Sequence, residues 1–192
     1  MPCAVEDYIS PVAVLATTAA FFGGSIELDP ASSENANTYV GAQKYFSPRE
    51  NGLKQSWKSK NIYLYPPKSV LYSVEQPPEY RLYAKRRRFV KSAQRIWMEE
   101  MLRRYRKAEF DEGILFLTSS EVALITTQRI GLDLPICIMK EHPKILTDTK
   151  DFGKVNTNKC FGFIFYFPSL LNTQKRVYDF IEEYSLLGRV YS

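Results

Sequence analysis

Three stretches in the second half of the chain are apolar almost throughout: "GILFLT" from Gly113 to Thr118, "LPICIM" from Leu134 to Met139, and "CFGFIFYF" from Cys160 to Phe167. A strand sends successive side chains to opposite faces of its sheet. A strand that is apolar on both faces therefore needs cover on both, and helices supply it. The residues between and after the runs provide such helices. Glu121 to Ile130 reads as a short helix. Asn172 to Leu187 reads as an amphipathic one, with Val177, Phe180, Ile181 and Tyr184 inward. The expected class is an α/β sandwich. A chain of 192 residues suits a single domain, 1–192, with a loop and helix elaboration at about 69–108.

The first half is more punctuated. Ser10-Pro11 reads as an N-cap followed by proline at the first helical position. Val12, Leu15, Ala16 and Ala19 then form an apolar face, and Gly23-Gly24 ends the helix. Ser25 to Leu28 reads as a short strand closed by Asp29-Pro30. Ala31 to Glu50 is polar and reads as irregular. Gly52 to Trp57 reads as a turn around a buried anchor. The strand Asn61 to Tyr65 ends in Tyr65-Pro66-Pro67-Lys68. Two prolines remove two backbone donors and fix two φ angles, so the expectation is a stiff, exposed hook. Such a hook is either a plain turn or a clamp for a planar ligand.

Several classes of function are disfavoured. No apolar run reaches the 18 residues of a membrane-spanning helix. Glu6 and Asp7 stand where a signal peptide carries positive charge. Cys3, Cys137 and Cys160 are odd in number and form no CxxC pair, and His142 is the only histidine. Disulfide frameworks, zinc sites and His-based triads lack their residues, and no metal is expected. Neither GxGxxG nor GxxxxGK[ST] occurs. A reducing, intracellular compartment is expected, nuclear in a eukaryote and cytoplasmic otherwise.

The net charge of +5 is unevenly spread. Arg81 to Lys107 holds eleven basic and two acidic residues, so the rest of the chain is net acidic. Arg81 to Ala108 reads as one long helix. Phe89, Ala93, Ile96, Trp97, Met101, Tyr105 and Ala108 face inward, and most of the cations fall off that stripe. Such asymmetry points to a polyanion. The candidate nucleic-acid contacts are Arg86, Arg87, Arg88, Lys91, Arg95, Arg103, Arg104 and Arg106. A solvated charged face and a dock for an acidic partner are the competing readings.

One ordered set of elements remains: "IELDPASSENANTYVGAQKYFS", then "NGLKQSW", then "NIYLYPPKSV". This order resembles the phage-type, Dam-like family of DNA N6-adenine methyltransferases, over roughly residues 10–167. The resemblance implies a Rossmann-like methyltransferase sheet. It also implies that Asp29 and Asn35 match the positions contacting the methyl donor, S-adenosylmethionine. In the family the later hook is Asn-Pro-Pro-Tyr: its first residue holds the adenine amino group and its last stacks on the flipped base. Here those positions carry Tyr65 and Lys68. The expectation is a degenerate hook, Tyr65, Pro66, Pro67 and Lys68, with no catalytic residue and no cofactor. Such a chain resembles a noncatalytic subunit of a ciliate-type DNA adenine methyltransferase complex, with DNA and other subunits as partners. An active methyltransferase with an atypical hook, using S-adenosylmethionine, is the alternative, and a generic RNA-binding module ranks last.

Overall fold

The apolar runs do become central strands. A computed structural model describes residues 8–67, 92–129, 133–147, 155–156, 160–171 and 173–192. Its strands are β1 (Tyr8–Ile9), β2 (Leu28–Asp29), β3 (Lys44–Tyr45), β4 (Ser59–Leu64), β5 (Phe110–Leu117), β6 (Ile136–Met139), β7 (Ile145–Thr147), β8 (Val155–Asn156), β9 (Phe163–Phe167) and β10 (Gly188–Tyr191). The helices are α1 (Val12–Phe21), α2 (Glu34–Val40), α3 (Ala93–Arg106), α4 (Ser120–Arg129) and α5 (Thr173–Tyr184).

Seven strands form one mixed sheet in the order β10-β6-β9-β5-β4-β2-β3. Strands β3, β2, β4 and β5 run parallel. Strand β9 inserts antiparallel between β5 and β6, and β10 closes the edge antiparallel to β6. A smaller antiparallel sheet has the order β1-β7-β8.

The two-residue period of the strands sorts the core into two layers. Ile62, Leu64, Leu115, Leu117, Phe163, Phe165 and Phe167 face α3 and α4. Tyr63, Tyr65, Ile114, Phe116, Ile164 and Tyr166 face α1 and α5. Each fully buried large side chain contributes about 1.5–3 kcal/mol. The α/β class with helices on both faces is thus the observed one.

Several local expectations need correction. Ser10 does not cap α1: Pro11 occupies the cap position, without a side-chain cap bond. The Ser10 hydroxyl instead pairs with the buried Tyr63 hydroxyl at 2.7 Å. The polar stretch 31–50 is not irregular. It holds α2, whose first turn is capped by Ser33 Oγ accepting from the Ala36 amide, and the short strand β3. Only Ala36 and Val40 of α2 are buried, so the sequence shows almost no apolar stripe there. The closing helix stops at Tyr184, and its expected tail, residues 185–187, is a turn that leads into β10.

The basic helix is also shorter than expected. It begins at Ala93, where Ser92 takes up extended backbone and its Oγ accepts from the Arg95 amide. An N-cap marks a chain entering a helix, not one passing through its middle. One helix spanning 81–108 is therefore replaced by α3. Residues 68–91, with Arg86, Arg87, Arg88 and Lys91, lie outside the described residues.

Candidate functional site

Parallel sheets offer a binding crevice where consecutive connections leave a strand in opposite directions, outside the carboxyl ends of the strands. Here that point lies between β2 and β4. The chain runs from β2 to its neighbour β3, then returns past β2 to β4 on the other side. Leu28 is in register with Ile62. The two carboxyl ends that meet there carry Asp29-Pro30 and Tyr65-Pro66-Pro67. Topology thus brings together the two segments that the sequence singles out.

Asp29 is 3% exposed. One carboxylate oxygen accepts from the Ala31 amide at 3.0 Å, closing a tight turn. Its backbone carbonyl accepts from the Phe46 amide, and the Phe46 carbonyl accepts from the Ser32 amide, both at 3.1 Å. These bonds lock the segment after β2 against the segment after β3. Burial pushes the Asp29 carboxyl up to about 7, against the opposing pull of the Ala31 amide and the Ser32 hydroxyl. Ser32 Oγ is buried beside that carboxyl. Asn35 Nδ2 is buried with no hydrogen-bond partner. Serine 32 is the site residue that sequence reasoning missed. Its only signal is its place three residues beyond the aspartate.

The hook differs from expectation. Pro66 and Pro67 are buried, not exposed. Tyr65 is 6% exposed and packs into the layer beneath the sheet, its ring 5.0 Å from that of Phe116. Lys68 lies outside the described residues. Asn61 opens the strand and works as a clip, its Oδ1 accepting from the Glu27 amide at 2.7 Å and its Nδ2 donating to the Ser25 carbonyl at 3.2 Å.

The element "NGLKQSW" packs between the Asp29-Pro30 turn and α3. Gly52 lies against the Pro30 carbonyl. Trp57 Nε1 donates to the Gly52 carbonyl at 2.8 Å, and the Trp57 and Trp97 rings stack at 6.0 Å. Buried Gln94 ties α3 to the end of β5. Its Oε1 accepts from the Thr118 and Ser119 amides, and its Nε2 donates to Thr118 Oγ1.

The described cations of α3 are engaged by the protein itself. Arg95 pairs with Glu99 at 3.0 Å. Arg103 forms a two-pronged pair with Glu100, at 2.8 and 2.7 Å. Arg104 points inward. Its nitrogens donate to Glu100 at 2.6 Å, Glu109 at 2.9 Å and the Leu53 carbonyl at 3.0 Å, and its guanidinium lies 4.6 Å from the Trp57 ring centre. Arg106 is exposed. Arg104, expected among the outward cations, is buried instead, and each of its three nitrogens donates to a group of the protein itself. Among the described residues no group of three His, Cys, Asp or Glu side chains converges, and no helix is long and apolar enough to cross a membrane.

The chain matches no family model, no curated protein and no solved structure.

The Asp29 environment makes a prediction about stability and pH. The unfolded carboxyl titrates near 3.8 and the folded one near 7. Between those values the folded chain holds a proton that the unfolded chain has released. Stability from this group is therefore full below about pH 4, falls as pH rises and levels off above about pH 7. Asp29→Asn keeps an oxygen for the Ala31 amide and offers a donor to Ser32. It is expected to stabilise the fold at pH 8 by about 2–4 kcal/mol and to change little at pH 4. Urea melts at the two pH values check this, and an equal shift at both would exclude a protonated Asp29.

Proposed function

We propose that the chain is a catalytically inactive, adenine-methyltransferase-like protein that serves as a DNA-binding or scaffold subunit of a DNA N6-adenine methyltransferase complex. The carrying observation is Tyr65. It stands where the Dam-like family, which the sequence resembles, places the residue that holds the adenine amine. An amide or carboxylate oxygen is needed there, and the side chain present is an aromatic ring packed against Phe116 inside the core. Loss of one such electrostatic group costs about 100- to 1,000-fold in rate.

The Rossmann-like methyltransferase sheet is part of the same proposal. It is supported by parallel β3, β2, β4 and β5 with a switch point between β2 and β4, and by the acidic residue at the end of β2. S-adenosylmethionine, which the resemblance implies, is a poor fit to the residues present. Asp29 is closed over the Ala31 amide, and its raised pKa leaves much of it neutral at pH 7. Asn35 is the remaining polar group of the implied pair. DNA contact rests on Arg86, Arg87, Arg88 and Lys91, whose charge has no acidic residue between Arg81 and Lys91 to balance it. A nuclear location in a eukaryote belongs to this reading.

Two assays test it. Incubated with labelled methyl donor and A-rich DNA, the pure chain is expected to transfer no methyl group. Transfer that vanishes on changing Pro66 and Pro67 would establish the active alternative. In duplex binding, each neutralised phosphate contributes about 0.9 to the slope of log affinity against log salt, so four contacts give roughly −3 to −4. Reversal of Arg86, Arg87 and Arg88 to Glu is expected to flatten that slope. An unchanged slope alongside lost complex assembly would make the segment a protein dock.

A further inference from the structure

The outer face of α5 and the turns at its two ends carry large apolar side chains that the fold leaves open. Leu171, in the turn before the helix, is 87% exposed, Tyr178 at its middle 71%, and Leu186, in the turn after it, 72%. The orientation of the helix is fixed from within. Phe180 and Tyr184 are fully buried, and their rings stack at 4.4 Å. Arg176 reaches across to both Glu112 carboxylate oxygens and to the Phe21 carbonyl. That arrangement turns Lys175, Tyr178 and Glu182 outward, and all three are exposed.

The outward residues follow a pattern: Leu171, Lys175, Tyr178, Glu182, Leu186. Steps of three and four place Lys175, Tyr178 and Glu182 on one side of α5, and Leu171 and Leu186 stand in the turns at its two ends. The pattern is self-complementary when two copies of the helix meet antiparallel. A two-fold axis between residues 178 and 179 brings the turn that carries Leu171 in one copy near the turn that carries Leu186 in the other, at each end. It sets Lys175 against Glu182 twice, and brings the two Tyr178 rings together near the centre. A parallel pairing would instead stack lysine on lysine and glutamate on glutamate. Opposite charges between apolar ends thus select one partner and one orientation. We propose that this face is the contact of a two-fold homodimer, with α5 of one copy antiparallel to α5 of the other. Closed, isologous dimers of this kind are the commonest oligomers. The helix of 12 residues spans about 18 Å at 1.5 Å per residue, which is small, so the dimer is weak and concentration-dependent. It does not depend on the reading of the switch-point site.

Sedimentation velocity on the full chain tests it, over concentrations from about 1 to about 200 µM, where a micromolar dimer dissociates on dilution. The native chain is expected to pass from monomer to dimer. Lys175→Glu alone and Glu182→Lys alone are each expected to weaken the dimer about tenfold or more, because each sets like charges opposite one another twice. The double variant restores both pairs and is expected to return to within about threefold of the native chain. Far-UV circular dichroism establishes that each variant folds. A monomer at every concentration overturns the proposal, as does a dimer indifferent to the single reversals or unrestored by the double one. Co-sedimentation of a monomeric chain with phosphatidylserine vesicles, lost in Leu171→Ser, would give the face to a lipid surface and overturn it too.

Discussion

Arg104→Ala is expected to destabilise the fold by about 3–5 kcal/mol, whereas Arg103→Ala, one residue earlier, is expected to cost less than about 1 kcal/mol. The side chain of Arg104 is 6% exposed and that of Arg103 is 45% exposed. Removing Arg104 deletes three hydrogen bonds and the plane lying over Trp57. It also leaves half-buried Glu100 and Glu109 with Arg103 alone, which meets Glu109 only at 4.0 Å. Burial pushes the Glu100 carboxyl up, yet hydrogen bonds from Arg103 and Arg104 hold it below the usual range. A depressed carboxylate contributes stability above its unfolded pKa and loses it as pH falls. The gap between native chain and variant is therefore expected to narrow from pH 7 to pH 3. Arg104→Lys should recover little, because an ammonium cannot fill a three-way fork. Denaturant melts of the three variants decide the matter. Equal small losses for Arg103 and Arg104 would return Arg104 to the surface set.

The same residue shows where the sequence was legible and where it was not. The α/β class followed from strands apolar on both faces, because that pattern has few other solutions. The buried Trp57 and the placement of Asp29 and Tyr65 at strand ends followed from turn residues close by in sequence. Arg104 was read by charge, although it lies seven residues beyond Trp97 and so on the same inward stripe. Charge density says that a segment is basic, and only packing says which cation is consumed by the fold. The polar helix α2 was missed because a helix that buries two side chains leaves no stripe to read. The strands β1, β7 and β8 were missed because their pairing joins residue 9 to residue 146, and nothing local encodes it. The exposed hook failed for the same reason. Proline fixes backbone shape, but whether that shape meets solvent or core depends on what distant segments do.

Gly52→Ala is expected to cost more than about 4 kcal/mol, a loss reserved for a short set of mechanisms. Gly52 does not owe its place to a left-handed backbone. A Cβ built there would stand 1.8 Å from the Pro30 carbonyl oxygen, 3.0 Å from its carbon and 3.2 Å from the Trp97 ring. The nearest atoms are backbone, so no rotamer relieves them. The Pro30 backbone is itself held by the Asp29 turn and by the Phe46 bonds. Relief would have to move "NGLKQSW" away from "LDP", and Trp57, bonded to the Gly52 carbonyl within the same segment, would be drawn from its buried place with it. Gly41 provides the contrast. It has a φ of 65° with nothing within 4 Å of a Cβ, so Gly41→Ala should cost only about 1 kcal/mol of backbone strain. Trimming Trp97 to Phe alongside Gly52→Ala separates the two neighbours. If the carbonyl decides, the double variant is no more stable than the single one. Recovery of stability in the double variant would show that the indole is the obstacle, and that the two segments can part without unmaking the crevice between β2 and β4.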